Sequence, residues 1–367
     1  MKAKSTFLTD FTRRQFLQRS ARMFALGAAC LLGRRGFSSE QRGTEDSSQP
    51  FFRTRGVVLV PEDLTLRDWP ERAQRAGLTT IGLHHGVAPR IVADFIRSEN
   101  GQKFLARCRQ LNLQIEYELH AVQELLPRSL FAKNPQLFRM NEKGDRTPDA
   151  NLCVHSTEAL AIASEQAIAL AKVLRPTTHR YFYWSDDAKS WCLCPKCRDF
   201  SESDQALILE NHLVTALRTF DPKAQLAHLA YSNTLWPPTQ IKPKRGIFLE
   251  YAPINRRYDI PYRNQRRPEA KDTLMALEAN LRVFGTDTAQ VLEYWLDVSR
   301  FSKWKRPSVK LPWNETVFAS DLDTYGKLGI RHVTSFAVFI DADYVKRHGE
   351  PAELGPYGKR LANWRPQ

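Results

Sequence analysis

Residues 79–122 read TTIGLHHGVAPRIVADFIRSENGQKFLARCRQLNLQIEYELHAV, and the reading of this stretch decides the fold. It opens on an apolar run, TTIGLHHG (79–86), and closes on QIEYELHAV (114–122), which alternates with the period of two that a strand requires. Between them, residues 92–112 carry a helical pattern, so the stretch predicts strand, crossover helix, strand, the unit of a parallel sheet. The unit recurs in both directions. GVVLVPE (56–62) predicts an earlier strand, followed by a helix over 67–77 that ends on a glycine. Downstream, strands are predicted at 180–187, 225–232, 245–253, 290–298 and 331–340. Helices are predicted at 158–174, 204–220, 269–285 and near 320–329, and a long excursion occupies 123–157. Eight strands alternating with helices over roughly 290 residues imply an α/β chain, a single (β/α)8 TIM barrel over 56–345. The fifth and sixth strands lack an obvious long helix between them. An open doubly wound sheet is the alternative, but no glycine-rich phosphate loop follows the first strand.

Residues 1–40 read differently. TRRQFLQ, with the pair Arg13-Arg14, precedes a short apolar run from Met23 to Leu32, too short to span a bilayer. The layout is that of a twin-arginine export signal, with the twin-arginine translocation machinery as partner and the periplasm or exterior as destination. A polar linker over 41–55 follows, and residues 346–367 are expected to form a C-terminal tail. No second long apolar span follows residue 33, so the processed protein is not expected to span a membrane.

The whole chain carries 54 Lys and Arg against 40 Asp and Glu, a formal net charge of +14. The first 40 residues hold eight of the basic and two of the acidic groups, so the remainder keeps +8. An exported basic protein meets envelope glycans rather than a genome, and no nucleic-acid-binding signature is present.

In a barrel, chemistry sits where the strands end. Those ends carry Glu62-Asp63, His84-His85, Glu118 with His120, Asp186-Asp187, Tyr231 with Asn233, Glu250-Tyr251, Glu293-Tyr294-Trp295 and Asp341. Carboxylates with aromatic platforms are what glycoside cleavage needs. Asp187 is the expected general acid, its proton held by aromatic neighbours such as Trp184 or Trp191, with Asp186 orienting it. Glu250 is the first choice for the opposing carboxylate and Glu293 the second. His84, His85, His120, Trp184, Tyr231, Asn233, Tyr251, Arg256 and Trp295 are the expected substrate contacts. Arg257 and Arg263 join Arg256 as candidates for a uronate or sulfate. No catalytic cofactor is expected.

Cys192, Cys194 and Cys197 follow the aspartates closely, and Cys153 precedes the helix feeding that strand. Four thiolates brought together would make a tetrahedral structural zinc site. In an oxidising compartment, one or two disulfides are the competing reading.

The segment from about 57 to 340 resembles a family of uncharacterised glycoside-hydrolase-like barrels, distantly similar to the α-glucuronidases. The likeness is carried by NPQLFRMNEKGDR (134–146), LCVHSTEAL (152–160), YWSDDAKSWCLCPKC (183–197), ENHL (210–213), LAYSNTLWPP (229–238) and FLEYAPINRRY (248–258). The resemblance implies the barrel and a carbohydrate-directed role, with an aspartate of the pair as the acid. The function expected is therefore an exported glycoside hydrolase acting on a polysaccharide or oligosaccharide, with an acidic one in view. A non-catalytic carbohydrate-binding barrel is the alternative.

Overall fold

The computed structural model describes residues 49–366 except Val87, Arg266 and Arg267, and the side chains of 268–273 are likewise not described. The signal, most of the linker and the Arg13-Arg14 pair lie outside the described residues. Eight parallel strands close into a barrel in sequence order: β1 (Thr54–Leu59), β2 (Thr80–His85), β3 (Gln114–His120), β4 (Arg180–Trp184), β5 (Gln225–Ala230), β6 (Ile247–Tyr251), β7 (Gln290–Glu293) and β8 (His332–Phe336). Closure is direct, because Gly56 pairs with Thr80 of β2 on one side and Thr334 of β8 on the other. A Cβ at Gly56 would sit 2.8 Å from Thr334 Cγ2, so glycine keeps this layer of the interior narrow.

The outer ring begins with α1 (Trp69–Arg75), α2 (Pro89–Arg97), α3 (Glu99–Gln110) and the short α4 (Val122–Leu125). It continues through α5 (Thr157–Val173), α6 (Glu202–Phe220), α7 (Pro268–Phe284) and the single turn α8 (Val298–Phe301). It ends with α9 (Glu315–Lys327), α10 (Ala342–His348) and α11 (Leu354–Asn363). The helix expected over 92–112 is two. Ser98 takes an extended conformation, and its hydroxyl accepts from Gly101 N at 3.1 Å, starting α3 as an N-cap. As expected, only a 3-10 turn at Ser232–Thr234 separates β5 from β6 among named elements.

Two boundaries differ from the sequence reading. Several strands stop three to five residues early, and the residues beyond them form the mouth of the barrel. The expected tail is instead part of the domain. Helix α11 buries Leu354, Tyr357 and Leu361, and the Tyr357 hydroxyl donates to the Gly56 carbonyl at 2.7 Å. Burial of such side chains contributes about 1.5–3 kcal/mol each, enough to fix a helix of this length to the barrel.

Candidate active site

Alternation along the strands decides which side chains can reach the mouth. Val58, Phe182, Trp184, Leu229, Leu292, Tyr294 and Phe336 pack with one another in a cluster inside the barrel, separate from the larger core outside it. Above them opens a cavity of about 360 Å³ whose wall includes His84, His85, His120, Trp184, Asp187 and Tyr231. These six were all expected from the sequence. Glu62, Tyr294, Asp297, Ser299, Trp304 and Phe339 complete much of the rim.

The two inner histidines are oriented by main-chain carbonyls. His84 Nδ1 lies 2.7 Å from Glu118 O, and His120 Nδ1 lies 2.6 Å from Ser185 O. A carbonyl only accepts, so each Nδ1 carries the hydrogen and each Nε2 offers a lone pair. Burial pushes His84 down to about 3, helped by His120 nearby, and burial also lowers His120 against the pull of Asp187. Both rings are therefore neutral at ordinary pH. His120 Nε2 stands 3.8 Å from Asp187 Oδ1, too far for a direct hydrogen bond. The gap suits a donor shared by both, such as a hydroxyl.

Asp187 itself is half exposed, and the Tyr231 hydroxyl donates to it. A second acid, Asp297, occupies the same cavity from the other side of the sequence, beyond β7. Its Oδ1 accepts from Ser299 Oγ at 2.6 Å and from Arg300 N at 3.2 Å, capping α8. Only 4% of Asp297 is exposed, and burial pushes its carboxyl up to about 6. Tyr294 lines the same cavity, and burial first, then neighbours that include Tyr231, Asp297 and Asp187, raise its hydroxyl. Trp304, 65% exposed, stands at the rim as an open aromatic face.

Several expected site residues lie elsewhere. Asp186 points into the protein: its Oδ2 accepts from Arg128 Nη2 at 2.5 Å and from Asn151 N at 2.7 Å, and its Oδ1 from Gln123 N at 3.1 Å. It knits the excursion after β3 to the exit of β4. Glu250 is fully buried beneath the floor, accepting from Trp184 Nε1 at 2.7 Å and Gln290 Nε2 at 3.2 Å, so it does not face Asp187 across the mouth. Because Tyr294 faces in, Glu293 and Trp295 face out. Glu293 meets Arg256 at 3.1 Å and the Tyr325 hydroxyl, and Trp295 donates to Asp321. Arg256 is spent between Glu293 and Asp321 with neither nitrogen open to substrate. Tyr251 pairs its hydroxyl with Tyr262 in the outer core, Asn233 donates to Lys189 O, and Trp191 is buried. Asp63 and Asp341 likewise cap backbone at strand exits.

Asp297 escaped the sequence reading because β7 was extended through it. Its signal was present, since Asp297-Val298-Ser299-Arg300 is an N-cap followed by a helical turn.

The four cysteines do converge. All are buried, and their sulfurs lie within 4.8 Å of one another, with Cys153 Sγ 3.9 Å from those of Cys194 and Cys197. None is joined in a disulfide. Sulfurs about 2.3 Å from a tetrahedral zinc stand about 3.8 Å apart, so the donor set fits that ion. Around it, Cys192 Sγ accepts from Met140 N at 3.3 Å and from Arg146 Nη1 at 3.5 Å, and His155 Nδ1 lies 3.2 Å from Cys197 Sγ. The cluster ties the excursion after β3 to the loop after β4, two residues from Asn151 and its bonds to Asp186.

Residues 45–358 match a family described only as domain of unknown function (DUF4838). No curated protein matches the sequence. In fold, the chain is similar to a catalytic mutant of a GH42 beta-galactosidase from G. stearothermophilus (TM-score 0.53, 12% identity, covering 86% of this chain and 57% of that one). It is also similar to a beta-galactosidase from a Rahnella species (0.51, 14%, 86% and 56%) and one from the psychrophilic Marinomonas ef1 (0.50, 12%, 84% and 59%). At such identity the likeness is one of fold alone. The chain spans less than three fifths of the length of these structures.

Proposed function

The chain belongs to the family of domains of unknown function DUF4838, and from that premise we propose that it is a glycoside hydrolase whose working carboxyls are Asp187 and Asp297. The observation that carries the reading is that two acids in different environments share one aromatic-walled cavity at the barrel mouth. Asp297 is desolvated and keeps its proton to about pH 6, which suits a general acid for the glycosidic oxygen. Asp187 meets solvent and takes a hydrogen bond from Tyr231, and it is assigned the role of base or nucleophile. The assignment exchanges the role the sequence suggested for Asp187. His84 and His120 present acceptors to sugar hydroxyls, and Trp304 offers a stacking face at the rim. The fold neighbours that are beta-galactosidases agree with this class of chemistry, and the sugar is not carried over from them.

Three further assignments accompany this one. The substrate is a polysaccharide or oligosaccharide. The thiols of Cys153, Cys192, Cys194 and Cys197 hold a structural zinc that would fix the loop carrying Asp187 and supply no step of catalysis. The protein leaves the cytoplasm by the twin-arginine route, on the strength of TRRQFLQ, for the periplasm or exterior. Among the described residues, no helix is long and apolar enough to cross a membrane.

The test compares wild type, Asp187→Asn and Asp297→Asn on natural glycans and on aryl glycosides with a good leaving group. Asp297→Asn should lose about 10²–10⁴-fold on glycans and far less on the aryl substrates, which need no proton. Asp187→Asn should lose heavily on both. The opposite pattern returns the acid to Asp187. Glycan binding without release by wild type makes the protein a binding barrel.

A further inference from the structure

A second cavity, of about 580 Å³, lies beside the first and is walled in part by Asn255, Arg257, Tyr258, Arg300, Trp313 and Asn314. The two are neighbours along the chain at two strand exits. Ile254 and Ser299 line the first cavity, and the residues that follow them, Asn255 and Arg300, line the second. A ligand longer than the first cavity therefore has a place to continue.

The arginines of this wall differ in how they are paired. Arg256 is compensated by Glu293 and Asp321, and Arg257 is paired with Asp259. Arg300 has no carboxylate at ion-pair distance among the described residues. Its Nη2 donates to Ile254 O at 3.0 Å and to Arg256 O at 3.3 Å, and its guanidinium lies 4.4 Å from the centre of the Tyr258 ring. Arg256 lies 4.5 Å from the centre of the same ring. One nitrogen and one flat face thus hold the guanidinium in place, while Nε and Nη1 donate to no acceptor among the described residues. A fixed guanidinium with donors to spare suits an oxygen of a carboxylate or sulfate through a single charge-assisted hydrogen bond, and an indole and amides beside it suit a sugar ring.

We infer that the second cavity is a subsite for an anionic sugar, one bearing a uronate carboxylate or a sulfate ester, read by Arg300. The inference rests on the glycan reading of the first cavity and narrows it to acidic chains.

The experiment is binding of the full protein to an array of uronate-bearing, sulfated and neutral oligosaccharides, with methyl-esterified uronates as shape controls. Wild type should hold anionic members at least tenfold more tightly than neutral ones, with the margin shrinking as salt rises. The carboxylate and sulfate arms decide which anion is preferred, and esterification should erase the uronate margin. Arg300→Gln should remove the margin in a protein that still folds, and Arg300→Lys should restore part of it. If Arg300→Gln does not fold, Asn314→Asp adds a negative charge to the same wall while keeping its cap on α9, and it too should remove the margin. No anionic preference, or one that survives these substitutions, overturns the inference. Binding needs no turnover, so a protein that prefers anions yet cleaves nothing loses the hydrolase reading alone. One that cleaves neutral glycans without any anionic margin loses this subsite alone.

Discussion

Trp184 donates its indole N–H to Glu250 at 2.7 Å, so the floor of the cavity rests on a carboxyl group of the barrel interior. Glu250 is thereby a support for the site rather than a member of it. Glu250→Ala should cost about 2–4 kcal/mol in urea denaturation, because the Trp184 indole and the Gln290 amide lose their acceptor inside a sealed core. Glu250→Gln should keep kcat on glycans within about threefold, well short of the loss expected for an acid–base group. A hundredfold loss in that variant would put Glu250 back among the reacting groups.

Stability should fall as pH rises from about 6.5 to about 8. Inside the barrel, Glu116, Glu118 and Glu250 share one guanidinium, Arg180, and burial is the first cause that raises all three. Glu250 rises from 4.5 to about 8, and burial lifts Asp63 from 3.8 to about 8. For such groups the native state binds the extra proton, so their contribution is complete at low pH and lost through the folded value. His84 and His332, depressed by burial from 6.5 to about 3, act oppositely but only below 6.5. Melting temperatures across this range should decline, following a loss of unfolding free energy of at most about 1.4 kcal/mol per pH unit for each proton. Glu250→Gln should flatten the decline, and an unchanged slope would remove Glu250 as its source.

Asp186 should resist even its amide. Its oxygens accept from two backbone N–H groups and from Arg128, so Asp186→Asn must turn an N–H toward a donor. Both Asp186→Asn and Asp186→Ala should lose about 2–3 kcal/mol, chiefly through the groups left unpaired. A fully stable Asn variant would show that this clamp carries little.

Purified protein should hold one zinc per chain, measured by elemental analysis. Its removal under denaturing chelation should expose four titratable thiols in addition to Cys108 and, in the unprocessed chain, Cys30. Cys194→Ser should lower both zinc content and melting temperature. Metal-free protein with two disulfides would favour the oxidised reading instead.

Gly358 of α11 has no room for a methyl group, because its Cβ would overlap the Ala76 carbonyl oxygen. Gly358→Ala should therefore destabilise by more than 1 kcal/mol despite the better helix propensity of alanine. A stabilised variant would mean that α11 sits further from the ring.

The barrel was legible because its signal is repetitive: eight apolar runs each announced themselves, and errors in one end did not alter the count. The site was legible in part, for a reason visible in β7. The residues Glu293, Tyr294 and Trp295 all looked eligible, yet a period of two admits Tyr294 and sends its neighbours outward. Asp297 becomes accessible only because the strand stops at Glu293 and the phase is broken. Where strands end depends on packing at the mouth, which composition does not encode locally. Arg256 illustrates the other gap. A basic residue after a strand reads as a substrate contact until Glu293 and Asp321, 37 and 65 positions away, are found to neutralise it.

The pairing of Thr54–Val58 with His332–Phe336, and the bond from Tyr357 to Gly56, have a bearing on how the chain is made. The first strand to leave the ribosome meets its second neighbour only when nearly the whole polypeptide has followed. Until then the growing sheet is an open arc with two raw edges, able to pair with another nascent chain. Ring closure and the docking of α11 are therefore late, long-range events, of the kind that slows folding. Shortening the chain by its last fifteen residues would leave every element of the mouth encoded and take away the contact that latches the ring at its base.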